Sequence, residues 1–199
     1  LVNGNVDPKN YMFPLIVAGI GVLASVLSVV FIRLRNWNNP HKALNIATYA
    51  AQNTKQAVAI FNLEMPAEQL VNRMRSAVGQ IDSSKIRTGN MSHEDWKRIN
   101  EANSQLAETN IQIVDDAGIT AAEIKAKCRN LANKEEGLAL VIIDYLQLVT
   151  SGGKRPESRQ QEVSDISRSL KTMAMELKVP VIALAQLSRN AEKRENNQP

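Results

Sequence analysis

Residues 138–149 read LALVIIDYLQLV, and the fold turns on them. Leu140, Val141, Ile142 and Ile143 make a continuous apolar run that ends on Asp144. A strand of alternating polarity keeps one face in water. A strand without alternation is covered on both faces, as in a parallel sheet between layers of helices. Ligands of open α/β sheets gather outside the carboxyl ends of the strands. An acid at such an end has two readings: it holds the Mg²⁺ of a nucleotide, or it merely caps the loop that follows.

On either side of this stretch, apolar runs alternate with helical spacing. SRQQEVSDISRSLKTMAMELK (158–178) has the period of an amphipathic helix, and VPVIALAQL (179–187) is a further apolar strand. Upstream, AVAIF (57–61) and IQIV (111–114) read as short strands, and Ala43, Leu44, Ile46, Ala47 and Ala50 recur at helical spacing. Pro66 opens a helix through about Val78, since proline is tolerated in the first helical position. Ser92 with Asp95 and Thr120 with Glu123 form capping-box starts for two more helices. Strands and helices in alternation predict an α/β fold, a parallel sheet with helices on both faces.

The chain has 199 residues, 44% hydrophobic and 22% charged, which is the composition of a globular domain with an appendage. Its formal net charge of +4 is carried partly by Lys9, Arg33 and Arg35, set against Asp7 alone in the first 35 residues. Nucleic-acid binding therefore has to rest on a local cluster. A single cysteine, Cys128, excludes an intramolecular disulfide and fits a reducing compartment, and two histidines, His41 and His93, give no zinc set.

YMFPLIVAGIGVLASVLSVVFI (11–32) contains no charge. As one helix it would be roughly 33 Å long, enough to cross a bilayer core. Tyr11 and Trp37 stand at interfacial positions, and Arg33 and Arg35 after the run place its C-terminal side in the cytoplasm. The expectation is a membrane span within a segment 1–35, followed by a junction at 36–42. A signal peptide and a buried core helix are the competing readings.

Two more polar residues end apolar strands. Glu64, in AIFNLEM, could orient an attacking water, or simply lead into a helix N-terminus that favours acids. Gln186, in VIALAQ, would by itself be a loop residue. Three polar strand ends brought to one edge make a site more than any of them singly. Between strand and helix lies TSGGKRPESRQQE (150–162), where Lys154, Arg155 and Arg159 sit beside Gly152 and Gly153. Cations next to mobile glycines can approach phosphates, although an ordinary solvated loop has the same composition. No aromatic is interleaved, so backbone contact rather than base stacking is the expected mode. His41, His93, Trp96 and Cys128 are read as surface or core residues without a role.

AIFNLEMPAEQLVNRMRS, KIRTGNMSHEDW, VIIDYLQLVTSGGKRPESRQQEVSDISRSLK and VPVIALAQLSR together resemble the C-terminal motor domain of DnaB-type replicative DNA helicases. The likeness runs over about 43–199. It implies a RecA-like domain that works as a homo-hexameric ring and hydrolyses ATP with Mg²⁺ to move along single-stranded DNA. By the same resemblance Asp144 matches the Mg²⁺-linked acid, Glu64 the water-activating glutamate and Gln186 the γ-phosphate sensor. Residues 150–162, with Lys154, Arg155 and Arg159, match the DNA loop of the central channel. Asn62 and Ala185 stand where the family usually has serine. Residues 1–35 resemble a transmembrane helix of membrane-bound ion-pumping pyrophosphatases, without that family's Asp-rich motifs.

The departures are as specific as the matches. A phosphate loop needs Gly-x-x-x-x-Gly-Lys-Ser/Thr, whose backbone N–H groups and lysine wrap the phosphates. The string occurs nowhere in the chain, and GGKR (152–155) lacks its spacing and hydroxyl. Aligned on ALNIA (43–47), Asn39 stands at the lysine and Pro40 at the Ser/Thr. The expectation is an incomplete RecA-like sheet with the strand before the phosphate loop missing and the last strand, within VPVIALAQL, left at an exposed edge. Three functions follow: a helicase motor fragment, ATP-dependent by the resemblance, with the missing phosphate loop counting against its turnover; a non-hydrolysing membrane-tethered module that binds single-stranded DNA or a helicase subunit; or a chimeric reading frame without function.

Overall fold

The computed structural model describes residues 29–30, 40–150, 152 and 158–185. In chain order these form β1 (Val29–Val30), α1 (Pro40–Asn53), β2 (Ala57–Asn62), α2 (Ala67–Gly79), α3 (Ser83–Thr88), α4 (His93–Ala107), β3 (Ile111–Val114), α5 (Ala121–Ala132), β4 (Leu138–Asp144), α6 (Arg159–Leu177) and β5 (Val181–Ala183). A short 3₁₀ turn, Leu146–Leu148, follows β4. The strands make one five-stranded sheet in the order β1-β5-β4-β2-β3, with every neighbouring pair parallel.

Successive side chains of a strand point to opposite faces, and here each face has its own core. Ala57, Ala59 and Phe61 of β2, with Val141 and Ile143 of β4, pack on Ile124 and Cys128 of α5 and on Ile166, Leu170 and Met173 of α6. Val58 and Ile60, with Leu140 and Ile142, face the other way, onto Ala43, Leu44 and Ala47 of α1 and Leu70 and Met74 of α2. Two cores explain why these strands show no polar alternation. β4 lies at the centre with all of its residues but Ala139 buried, so its carboxyl end lies between neighbours on both sides.

Local chemistry sets the helix starts. Ser92 Oγ accepts from the Asp95 N–H at 3.1 Å while Asp95 Oδ2 accepts from the Ser92 N–H at 3.0 Å. Thr120 and Glu123 repeat this box at the start of α5, at 3.2 and 2.8 Å. Pro66 stands one residue earlier than expected, as the cap before α2 rather than its first residue. α3 has no counterpart in the sequence reading. Asp82 caps it by accepting from the Ser84 N–H at 2.7 Å, and Gly89, at φ 72°, ends it. β5 is shorter than the apolar run 179–187, covering Val181–Ala183.

Two expectations for the sheet are corrected. The strand position beside β5 is filled: Val29 and Val30 pair in parallel with Val181 and Ile182. The last strand is therefore covered by β1 on one side and β4 on the other instead of lying at an open edge. The same pairing breaks the idea of one unbroken helix over 11–32, because Val29–Val30 are extended. The rest of that run lies outside the described residues. Among the described residues no helix is long and apolar enough to cross a membrane.

Candidate functional site

The register of β2 against β4 places Asn62 opposite Asp144. Both are last in their strands and both are buried, Asn62 at 0% exposure and Asp144 at 5%. The Leu63 N–H donates to the Asp144 carbonyl at 2.8 Å, which holds the two chains together for one residue past the strand ends. Asn62 Nδ2 donates to the Met65 carbonyl at 2.7 Å and folds the 62–65 segment over the edge, with Glu64 exposed on it. On the other flank the Leu184 N–H donates to Ile143 O and the Leu146 N–H donates to Leu184 O, each at 2.8 Å. The chain leaving β5 is thus tied to the same edge at Leu184, and Gln186 lies outside the described residues.

Three buried polar atoms in this neighbourhood have no hydrogen-bond partner: Asn62 Oδ1, Asp144 Oδ1 and Arg73 Nη1. Burial is the main force on Asp144 and pushes its carboxyl up to about 6; the charge of Glu64 pushes the same way, and Arg73 of α2 opposes both. Buried polar groups are nearly always paired, because an unpaired one carries its full desolvation cost. An orphaned carboxylate oxygen beside a second acid and a guanidinium is therefore a receptive arrangement. A cation placed between the acids would relieve it.

The second candidate region is the loop after the 3₁₀ turn. Thr150 pairs with Thr120 as an isolated parallel bridge. Arg159 is the first residue of α6, and its guanidinium donates both to the Glu162 carboxylate and to the Gln147 carbonyl. Lys154 and Arg155 lie outside the described residues. Of the residues given no role, Cys128 is buried in the core, with its thiol pushed up to about 12 by burial. Trp96 is half exposed on α4 and His93 is exposed at its start.

With this geometry in view, residues 41–199 match the model of the DnaB-like helicase C-terminal domain. The chain belongs to that family. It is 52% identical over 157 residues to the replicative DNA helicase DnaC of Bacillus subtilis and 51% identical to the replicative DNA helicase DnaB of Geobacillus stearothermophilus. Each match covers 79% of this chain and 34% of the relative, so the chain spans about a third of their length. Among solved structures, a DnaB-like replicative helicase described with its interactions with primase superimposes with TM-score 0.71 at 36% identity, covering 80% of this chain and 38% of the other. The ATPase domain of G40P gives the same score and identity, over 56% of its chain. The fold is thereby the RecA-like helicase fold.

A DnaB-like domain implies ATP and Mg²⁺, and the residues present fit only part of that pair. Asp144 Oδ1 and Asn62 Oδ1 are hard oxygen ligands with nothing else to bind. Mg²⁺ suits such a place, since it takes one or two carboxylates and fills its remaining positions with water and phosphate oxygens. Among the described residues no cluster of three or more His, Cys, Asp or Glu forms a cage by itself. The triphosphate half does not fit. α1 begins at Pro40, which has no backbone N–H to offer, and Asn39 brings no charge where a lysine is needed.

The sequence reading singled out Asp144 and Glu64, and the structure brings them to one edge. It missed Asn62 and Arg73 as members of that site. For Arg73 a signal existed: it lies three residues after buried Leu70 and next to buried Met74, a cation at the margin of an apolar helix face. For Asn62 the signal was weaker, an amide closing a strand that is otherwise wholly apolar.

Proposed function

We propose that this chain is a segment of a replicative DNA helicase motor that keeps the cation site and the single-strand loop while lacking the triphosphate cradle. The single observation that carries this reading is the contrast at the sheet edge. Asp144, Asn62 and Glu64 stand ready at the ends of β2 and β4, and the helix that by resemblance should follow a glycine-lysine turn begins at Pro40, with Asn39 before it in the sequence.

In the complete motor this domain class implies, ATP hydrolysis drives translocation on single-stranded DNA and unwinding of the duplex, within a homo-hexamer. There Asp144 would hold Mg²⁺, Glu64 would orient water and Gln186 would read the terminal phosphate. In this chain Asp144 and Asn62 bind a divalent cation, and Lys154 and Arg155 contact DNA phosphates without sequence preference. Phosphoryl transfer depends almost wholly on positioning and charge neutralisation, so loss of the cradle removes turnover.

Fluorescence anisotropy with a labelled oligodeoxythymidine tests the reading. Binding without nucleotide is expected, weakening steeply with salt and reduced in Lys154→Ala/Arg155→Ala. An affinity indifferent to salt and to both substitutions would sink it.

A further inference from the structure

Glu64 is exposed, so where its carboxylate stands depends on the backbone that carries it. That backbone is the segment 63–66, strung between the end of β2 and the start of α2. Its near end is fixed to β4, where the Leu63 N–H donates to Asp144 O at 2.8 Å, and is folded by Asn62 Nδ2 donating to Met65 O at 2.7 Å. The far end has no such local device. Pro66 stands at the cap of α2 and makes no side-chain hydrogen bond to the first turn. The first N–H groups of a helix need an acceptor from elsewhere when the cap supplies none.

That acceptor comes from the neighbouring strand. Ala67, the first residue of α2, donates its N–H to Asp115 Oδ2 at 2.8 Å, across 48 positions of sequence. Asp115 follows Val114, the last residue of β3, and Val114 pairs with Phe61, the residue before Asn62. Asn62 in turn lies opposite Asp144. Asp115, Asn62 and Asp144 therefore stand in a row at the ends of three adjacent strands. A carboxylate at a helix N-terminus meets both an unpaired N–H and the positive end of the dipole. This bond moors the far end of 63–66 to the sheet. Arg73 is held otherwise: it lies farther along α2 between Leu70 and Met74, both buried in the core on that face.

We propose that Asp115 is a positioning residue for the cation site: by capping α2 from the end of β3 it holds Glu64 beside Asp144, without itself touching the ion. This rests on the reading of Asp144 and Asn62 as a divalent-cation site. The test uses the full chain and Mn²⁺ alone, which suits the same oxygen ligands as Mg²⁺. Free Mn²⁺ is counted by its electron paramagnetic resonance signal, and amide hydrogen exchange is followed without metal.

Asp144→Asn should weaken Mn²⁺ binding about tenfold and Glu64→Gln about fivefold, as loss of a charge beside the ion requires. Asp115→Ala should weaken it about threefold and speed exchange over residues 63–68 about tenfold. Asp115→Asn keeps an oxygen that accepts from the Ala67 N–H, and its affinity should stay within about twofold of the parent. An acid acting through its charge alone would lose as much in asparagine as in alanine. In a Glu64→Gln background, Asp115→Ala should cost nothing further, since a residue acting through another is silent once that other is gone. Asp115→Val, equally without an acceptor, serves if the alanine variant does not fold. Undiminished affinity in Asp115→Ala, equal losses in the alanine and asparagine variants, a full additional loss on top of Glu64→Gln, or unaltered exchange over 63–68 would each overturn the inference. If Asp144→Asn binds Mn²⁺ as the parent does, the cation reading itself fails and the inference falls with it.

Discussion

Asp95, at the start of α4, and Asp144, at the end of β4, are both buried carboxylates treated in opposite ways. Asp95 Oδ2 accepts from Lys85 Nζ at 2.8 Å, from the Ser92 N–H at 3.0 Å and from Ser92 Oγ at 2.9 Å. The Lys85 hydrogen bond, followed by those from Ser92, holds its carboxyl down at about 2. Asp144 has an oxygen with no partner, and burial with a neighbouring acid pushes it up to about 6. The satisfied acid supports the fold; the unsatisfied one weakens it. Proteins keep groups of the second kind where they bind or react, and under the proposed function the pair contrasts scaffold with site.

The comparison can be broken most forcefully at Asp144. Its folded-state value lies above the ordinary carboxylate value of 3.8, so folding favours the protonated form. Its cost is absent below about pH 4 and grows to its full size as pH rises through about 6. Asp144→Asn should therefore raise stability at pH 7.5 by roughly 2 kcal/mol, since each tenfold change in the acidity of a carboxyl is worth about 1.4 kcal/mol and partial solvation reduces the sum. Urea unfolding at pH 7.5 and pH 3.5 checks this. A variant less stable than the parent at pH 7.5 would contradict it.

Asp95→Asn should act in the reverse direction. Its folded-state value is depressed, so its stabilisation is complete above about pH 4 and fades as pH falls towards 2. Loss of the capping box and the Lys85 pair should lower the melting temperature by about 5 °C at pH 7. By pH 2.5 the gap between variant and parent should narrow. A gap that stayed constant from pH 7 to pH 2.5 would show that packing, not charge, is what Asp95 contributes.

Lys85→Met sharpens the same point with a smaller effect. Ser92 still donates twice to Asp95, so about half of the Asp95→Asn loss is expected. The smallest effect belongs to the cation. Millimolar Mg²⁺ should raise the parent melting temperature by about 2 °C and leave Asp144→Asn unmoved. An equal rise in both proteins would place the ion elsewhere.

Much of this molecule is legible in its sequence, for physical reasons that can be named. The run LALVIID is apolar on both faces because two cores need it, and that single fact yields the parallel sheet and the position of Asp144. Both capping boxes are local chemistry, and each was found where the residues predict. α3 escaped because six residues, SSKIRT, are too short for a period; only Asp82 and Gly89 mark its ends. β1 escaped because two valines inside a long uncharged run carry no sign of where they will pair, and only the place beside β5 selects them. Arg73 and Asn62 come to lie beside Asp144 through register and helix packing, neither of which a linear pattern contains.

The central claim is that the site acids survive without a triphosphate cradle. Phosphate release from Mg-ATP by the purified chain tests it most directly, with and without single-stranded DNA and beside Glu64→Gln. The account predicts that the parent and Glu64→Gln are indistinguishable from buffer under both conditions. Turnover in the parent that is stimulated by DNA and lost in Glu64→Gln would contradict it.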